Sequence, residues 1–152
     1  MERAMIPDTA DRVERNTDDD INRKISEGIR DRVQWHAAHP QKIAARLREL
    51  DAEWDVERTL EANASTLAFT GVVLGATVDR RWLALPALVT AFLFQHAVQG
   101  WCPPLPILRR MGFRTAREIE AERTALKALR GDFARIEGSE DKASMALKAA
   151  RT

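Results

Sequence analysis

The feature that most limits how this chain can fold is residues 62–108, where the only three charged side chains are consecutive: Asp79, Arg80 and Arg81. A helix of a soluble domain shows one face to water and so carries charge along its length. Two uncharged runs joined by one charged triplet do not fit that pattern. The charges concentrate outside it: residues 1–61 hold fifteen acids against eleven Lys and Arg, and residues 109–152 hold seven against eleven. The overall net charge of +1 hides this acidic front and basic back. Neither part carries the strongly basic excess that a nucleic-acid partner would require.

The first run, Ala62 to Val78, is about 26 Å long as a helix, slightly short of the roughly 30 Å hydrocarbon core of a bilayer. Asn63, Ser65, Thr66, Thr70 and Thr77 dilute it. The second, Trp82 to Leu108, predicts a helix over about Trp82 to Gln99, because Gly100, Pro103, Pro104 and Pro106 then interrupt regular structure. Trp82 and Trp101 bracket this helix as interfacial anchors would. With only Asp79-Arg80-Arg81 between them, the two helices must turn back on each other. The expected fold is all-α: a transmembrane two-helix hairpin with flanking amphipathic cytoplasmic helices. The alternative is a soluble helical bundle that buries both runs.

Lys and Arg counts orient such a hairpin. Arg46, Arg48, Arg58, Arg109, Arg110, Arg114, Arg117 and Arg123 flank the spans, against Arg80 and Arg81 at the turn. Both termini are therefore expected in the cytoplasm and the Asp79–Arg81 turn outside. The start of the chain lacks the early apolar core of a signal peptide.

The division expected is a flexible N-terminus over 1–16, a charged helical cytoplasmic segment over 17–61, the hairpin over 62–108, an amphipathic cytoplasmic helix over 109–137 and a flexible tail over 138–152. Asn16-Thr17 before three aspartates reads as a helix start. Ile43, Leu47, Leu50 and Trp54 form a stripe after Pro40, with no breaker before Val78, so one helix of nearly 40 residues is expected to rise into the bilayer. Thr115-Ala-Arg-Glu118 has capping-box spacing. Ile119, Leu126, Leu129, Phe133 and Ile136 then make a second stripe in which Glu122 intrudes; this helix could lie on the membrane, and is expected instead to pack on the first stripe.

The segments WDVERTLEANASTLAFTGVVLGATV and LFQHAVQGWCPPLPILRRMGFR resemble the YgaP-type membrane unit, found in small bacterial inner-membrane proteins of uncharacterised function or fused behind a rhodanese domain. Glu57-Arg58 and Gly100-Trp101-Cys102-Pro103 carry most of the likeness, which spans Trp54 to Arg114. The resemblance implies a stand-alone member in the bacterial inner membrane, as a homodimer. It does not bring sulfurtransferase chemistry, because the residues before the first run contain no cysteine.

Four groups of residues are candidates for function. Gly71-Val-Val-Leu-Gly75, extended by Ala64 and Ala68, is a small-residue stripe that could form a dimer seam or pack the two spans within one chain. Asn63, Gln95, His96 and Gln99 fall at similar depth and form an intramembrane polar cluster, which either pairs helices or marks a pathway. Cys102, the single cysteine, is a candidate thiol at the inner interface. Arg109, Arg110, Arg114 and Arg117 form a juxtamembrane basic cluster that fixes orientation or meets anionic lipid. No catalytic constellation, cofactor motif or metal spacing stands out; His36 and His39 lack matching carboxylates. The expected role is a non-enzymatic membrane protein whose partners are the bilayer, a second copy and a protein on its cytoplasmic helices. The alternatives are redox or sulfur relay through Cys102 and a conduit lined by the polar cluster.

Overall fold

A computed structural model describes residues 10–134, 136 and 141–151. Among these residues the fold is helical throughout, with no strand. The helices are α1 (Asp19–Ala38), α2 (Ile43–Ala52), α3 (Val56–Thr77), α4 (Ala84–Gln99), α5 (Leu105–Arg110), α6 (Ala116–Arg130) and α7 (Lys142–Arg151). They divide between two compact units, one of residues 1–23 and 54–116, the other of residues 24–53 and 117–152.

The first unit contains the hairpin. Asp55 caps α3, its carboxylate accepting from the Arg58 backbone N–H at 2.7 Å. With 22 residues, α3 is about 33 Å long. At its far end Asp79 caps a single 3-10 turn, Arg80–Leu83, by accepting from the Arg81 N–H at 2.8 Å, and α4 returns from there. Gly71 and Gly75 are buried against this return. A Cβ at Gly71 would collide with the Pro86 ring, and one at Gly75 would lie 2.6 Å from Leu83 Cδ2. The glycines thus set how closely α3 and α4 approach.

The apolar core of this unit lies at the open end of the hairpin, not between its arms. Val13, Val56, Leu60, Cys102, Leu105 and Leu108 are buried together, with Phe113 packed against them. Gly100 ends α4 with φ +76°, and any Cβ there would sit 2.5 Å from the Arg12 carbonyl oxygen. Only glycine lets the N-terminal segment cross so close to the end of α4. Asn16 fastens that crossing, donating to the Arg12 and Gln99 carbonyls at 2.8 and 2.9 Å.

In the second unit, Ile43, Leu47 and Leu50 of α2 pack with Ile119 and Leu126 of α6 and with Val33 of α1. The expected pairing of the two stripes is realised over these residues, whereas Leu129 of the second stripe is 45% exposed and takes no part in it. Glu122, which seemed to interrupt the α6 stripe, is fully buried: Arg32 Nε donates to both of its oxygens at 3.0–3.1 Å, and Arg46 Nε to Oε1 at 2.8 Å. Two guanidiniums are what make a buried carboxylate tolerable.

Several expectations need correction. The helix of nearly 40 residues is broken at 53–55, where extended backbone at Glu53 and the Asp55 cap replace it; a cap stops a helix as well as a proline does. Trp54 accordingly leaves the stripe and lies 46% exposed beneath Arg58, whose guanidinium carbon is 4.3 Å from the ring centroid. Asn16 and Thr17 do not cap α1. Thr17 Oγ1 donates to the Val13 carbonyl, while the Asp18 carbonyl accepts from Ile21 and Asn22. The flexible stretch expected over 1–16 is not flexible at its end, because Val13 is a core residue; residues 1–9 lie outside the described residues. Within the tail expected over 138–152, residues 142–151 form α7, whose Ala149 is buried and whose Ala150 carbonyl accepts from Lys127 at 2.8 Å. The amphipathic helix expected over 109–137 begins only at Ala116. Pro103 and Pro104 precede an extra helix, α5, because prolines are tolerated at and just inside a helix start.

Candidate functional site at the open end of the hairpin

Among the described residues one helix, Arg80–Gln99 with its opening turn, is long and apolar enough to cross a membrane. In its apolar 18-residue stretch only 6% of the residues are buried within the chain. Its side chains point outward on several faces, with Phe94 73% exposed, and on α3 Phe69 is 71% exposed. A core helix of a soluble fold would be covered.

The hydroxyls that dilute α3 do not call for water. Ser65, Thr66, Thr70 and Thr77 each donate to the carbonyl one turn back, at 2.7–2.8 Å, and Thr90 of α4 does the same to Pro86. Every Ser and Thr between residues 62 and 99 is satisfied inside its own helix.

The small-residue stripe faces inward. Gly71 and Gly75 pack on Leu85, Pro86 and Leu83, and Ala64 and Ala68 line a groove with Val89, Thr90 and Leu93 of α4. Of the four residues considered for a dimer seam, Gly71 and Gly75 are covered by the second helix of the same chain, and Ala64 and Ala68 stay half-exposed along the groove.

The polar cluster divides. His96 is 3% exposed, and its Nε2–H donates to Glu57 Oε2 at 2.8 Å. Glu57 Oε1 in turn accepts from Arg12 at 2.8 Å. The His96 bond first, and Arg12 after it, hold the Glu57 carboxyl below its ordinary value of 4.5, against the opposing effect of burial. Asn63 donates to the Thr59 carbonyl at 2.9 Å and lines a cavity with His96. Gln95 and Gln99 line no part of it. Glu57 is the residue that sequence reasoning missed as a member of this group. Its signal was available, since a histidine in an apolar helix needs a partner and Glu57 is one of few acids near the base of the first run.

Cys102 belongs to this group too. It is 3% exposed, lines the same cavity, and with Glu57 is one of two titratable groups that act on the His96 ring. The cavity has a volume of about 420 Å³. With Nε2 held by Glu57, Nδ1 is the ring nitrogen left to serve the thiol, and it is buried with no hydrogen-bond partner. A carboxylate that orients an imidazole beside a thiol is the arrangement by which nucleophilic thiols are activated.

The basic cluster also divides. Arg109 is 1% exposed and donates to Thr17 Oγ1, Asn22 Oδ1 and the Phe113 carbonyl at 3.0–3.2 Å. Arg114 is buried, whereas Arg110 and Arg117 are exposed. Half of the cluster is thus interior structure, not lipid-facing charge.

The fold and site define an all-helical protein with one helix apolar enough to cross a membrane and a carboxylate–imidazole–thiol group at the hairpin base. No protein-family model matches the chain, and neither a curated protein nor a solved structure does.

Proposed function

We propose that this chain is an integral membrane protein of the bacterial inner membrane, a non-enzymatic anchor and interaction module built on a transmembrane helical hairpin. In this reading α3 and α4 both cross the bilayer, the Asp79–Arg81 turn lies outside and the charged helices stay in the cytoplasm. The observation that carries it is the exposed apolar helix: few residues of Arg80–Gln99 are buried by the chain itself, Leu88 and Phe94 stand 56% and 73% exposed, and lipid is the solvent that suits them. The inward-turned hydroxyls of α3 support the second crossing, because they remove the polar cost that made this run marginal. Trp82 and Trp101 are both exposed at opposite ends of α4, as interfacial anchors would be. The resemblance to the YgaP-type unit supports the inner-membrane location. A homodimer, also implied by that resemblance, would have to use surfaces other than Gly71 and Gly75, which the second helix covers.

The test is alkaline-carbonate extraction of bacterial membranes that carry the tagged protein, with cysteines placed singly at the turn and in α6 of a Cys102→Ser background. Retention in the pellet, with a turn cysteine alone reached by an impermeant reagent from outside, is the expected result. Release into the supernatant would overturn the reading.

A further inference from the structure

We propose that Cys102 is an acyl-acceptor thiol, with His96 as its base, Glu57 as the residue that positions His96, and the adjoining cavity as the seat of one long acyl chain. The proposal rests on the membrane reading only for where a long-chain donor would be met.

Three observations converge on it. The thiol does not stand alone: His96 is buried beside it, held by Glu57 at 2.8 Å through Nε2, and Nδ1 is left without a hydrogen-bond partner. A buried acceptor nitrogen with no partner is costly unless something else meets it. Next, the thiol, the imidazole and an open cavity of about 420 Å³ share one wall, and that volume lies within the roughly 300–1,000 Å³ of small-molecule sites. Finally, Leu60, Leu67, Phe92, Leu93 and Leu108 make most of the lining apolar, which suits a hydrocarbon chain.

The chemistry is a transthioesterification. His96 Nδ1 takes the Cys102 proton, and the sulfur attacks the carbonyl carbon of a long-chain acyl thioester. A bond forms between Cys102 Sγ and that carbon, the donor's carbon–sulfur bond breaks, and the proton passes from His96 to the departing thiolate. Nothing is oxidised or reduced. The acylated chain gains a hydrocarbon tail lying along α3 and α4.

The experiment takes the full chain in non-ionic detergent, adds palmitoyl-coenzyme A, and follows intact mass with time. One palmitoyl adduct per chain is expected, removed by neutral hydroxylamine and stable to a phosphine reductant, the reductant used throughout. Cys102→Ser should give none, and His96→Ala should slow transfer roughly 100-fold, the scale of a lost general base. Leu93→Trp, which fills the cavity and leaves all three polar residues in place, should slow palmitoyl transfer but not acetyl transfer from acetyl-coenzyme A. Circular dichroism shows whether each variant keeps its helix content; if the Cys102 or His96 variant loses it, the Leu93→Trp chain-length comparison decides. Absence of an adduct, an adduct released by reductant, or equal rates in wild type and folded His96→Ala would each overturn the proposal. Carbonate extraction is read separately. A protein that is released by carbonate yet acylates keeps this site and loses the membrane reading, and one that pellets without acylating does the reverse.

Discussion

Glu57 Oε2 and His96 Nε2 lie 2.8 Å apart, joining the first turn of α3 to the last turn of α4. The bond closes the open end of the hairpin, as the Asp79 turn closes the other. Because Glu57 is held below its ordinary value of 4.5, its contribution to stability is present above that pH and is lost as pH falls through the lowered value. Thermal unfolding followed by circular dichroism between pH 3 and 7 should show stability dropping on the acid side. In Glu57→Gln that acid limb should flatten, and an unchanged limb would show that other carboxylates dominate it.

Glu122 tests the second unit. Removing a carboxylate shared by Arg32 and Arg46 leaves guanidinium charge without its main partner, at a cost of about 3–5 kcal/mol. Glu122→Ala should therefore lower the denaturation midpoint sharply. The triple change Glu122→Leu, Arg32→Met, Arg46→Met should recover most of the loss, because an apolar cluster replaces a charged one. Recovery no better than the single variant would mean that the ion group is needed for more than its own neutralisation.

The glycines of α3 test the hairpin seam. Gly71→Ala places a methyl against the Pro86 ring, which cannot turn away, and should cost about 1–3 kcal/mol of overpacking. At Gly75 the obstacle is the end of the Leu83 side chain, which can rotate, so Gly75→Ala should cost less. Unfolding in detergent, read from helix content, orders the two. If the stripe instead served a dimer, both substitutions would reduce self-association in cross-linking and leave monomer stability alone.

Arg109 and Arg110 are neighbours of equal charge with opposite surroundings. Arg109→Met removes the hydrogen bonds to Thr17, Asn22 and the Phe113 carbonyl and takes this donor from Asn22 Oδ1, so it should destabilise the first unit by several kcal/mol. Arg110, 68% exposed at the side chain and 3.5 Å from Asp18, should tolerate the same change with little effect on stability. A role limited to orienting the chain predicts equal effects, which urea unfolding of the two variants would reveal.

How far the site was legible depends on which force places each residue. The reversal at Asp79-Arg80-Arg81 and the stop at Gly100 follow from chain geometry and from backbone conformations that need glycine, both local. His96 and Cys102 stood out as a polar group and a thiol in apolar surroundings, yet nothing in their spacing said that they would share one cavity wall. Glu57 lies 39 residues from His96 and was noticed only as part of a likeness. Glu122 looked like a flaw in a stripe because the arginines that neutralise it lie 90 and 76 positions away.

By itself, then, the sequence determined the helical class, the two apolar runs, their sharp reversal and the existence of the α2 and α6 stripes, since all of these rest on periodicity, breakers and charge density along the chain. Only the tertiary structure decided that the small-residue stripe serves the hairpin, that Arg109 is interior, that α3 starts afresh at Asp55, and that Glu57, His96 and Cys102 meet. Those outcomes depend on which side chains come within a few ångströms across long loops. Hydrogen bonds and close packing act only over such distances, and no pattern in the order of residues records them.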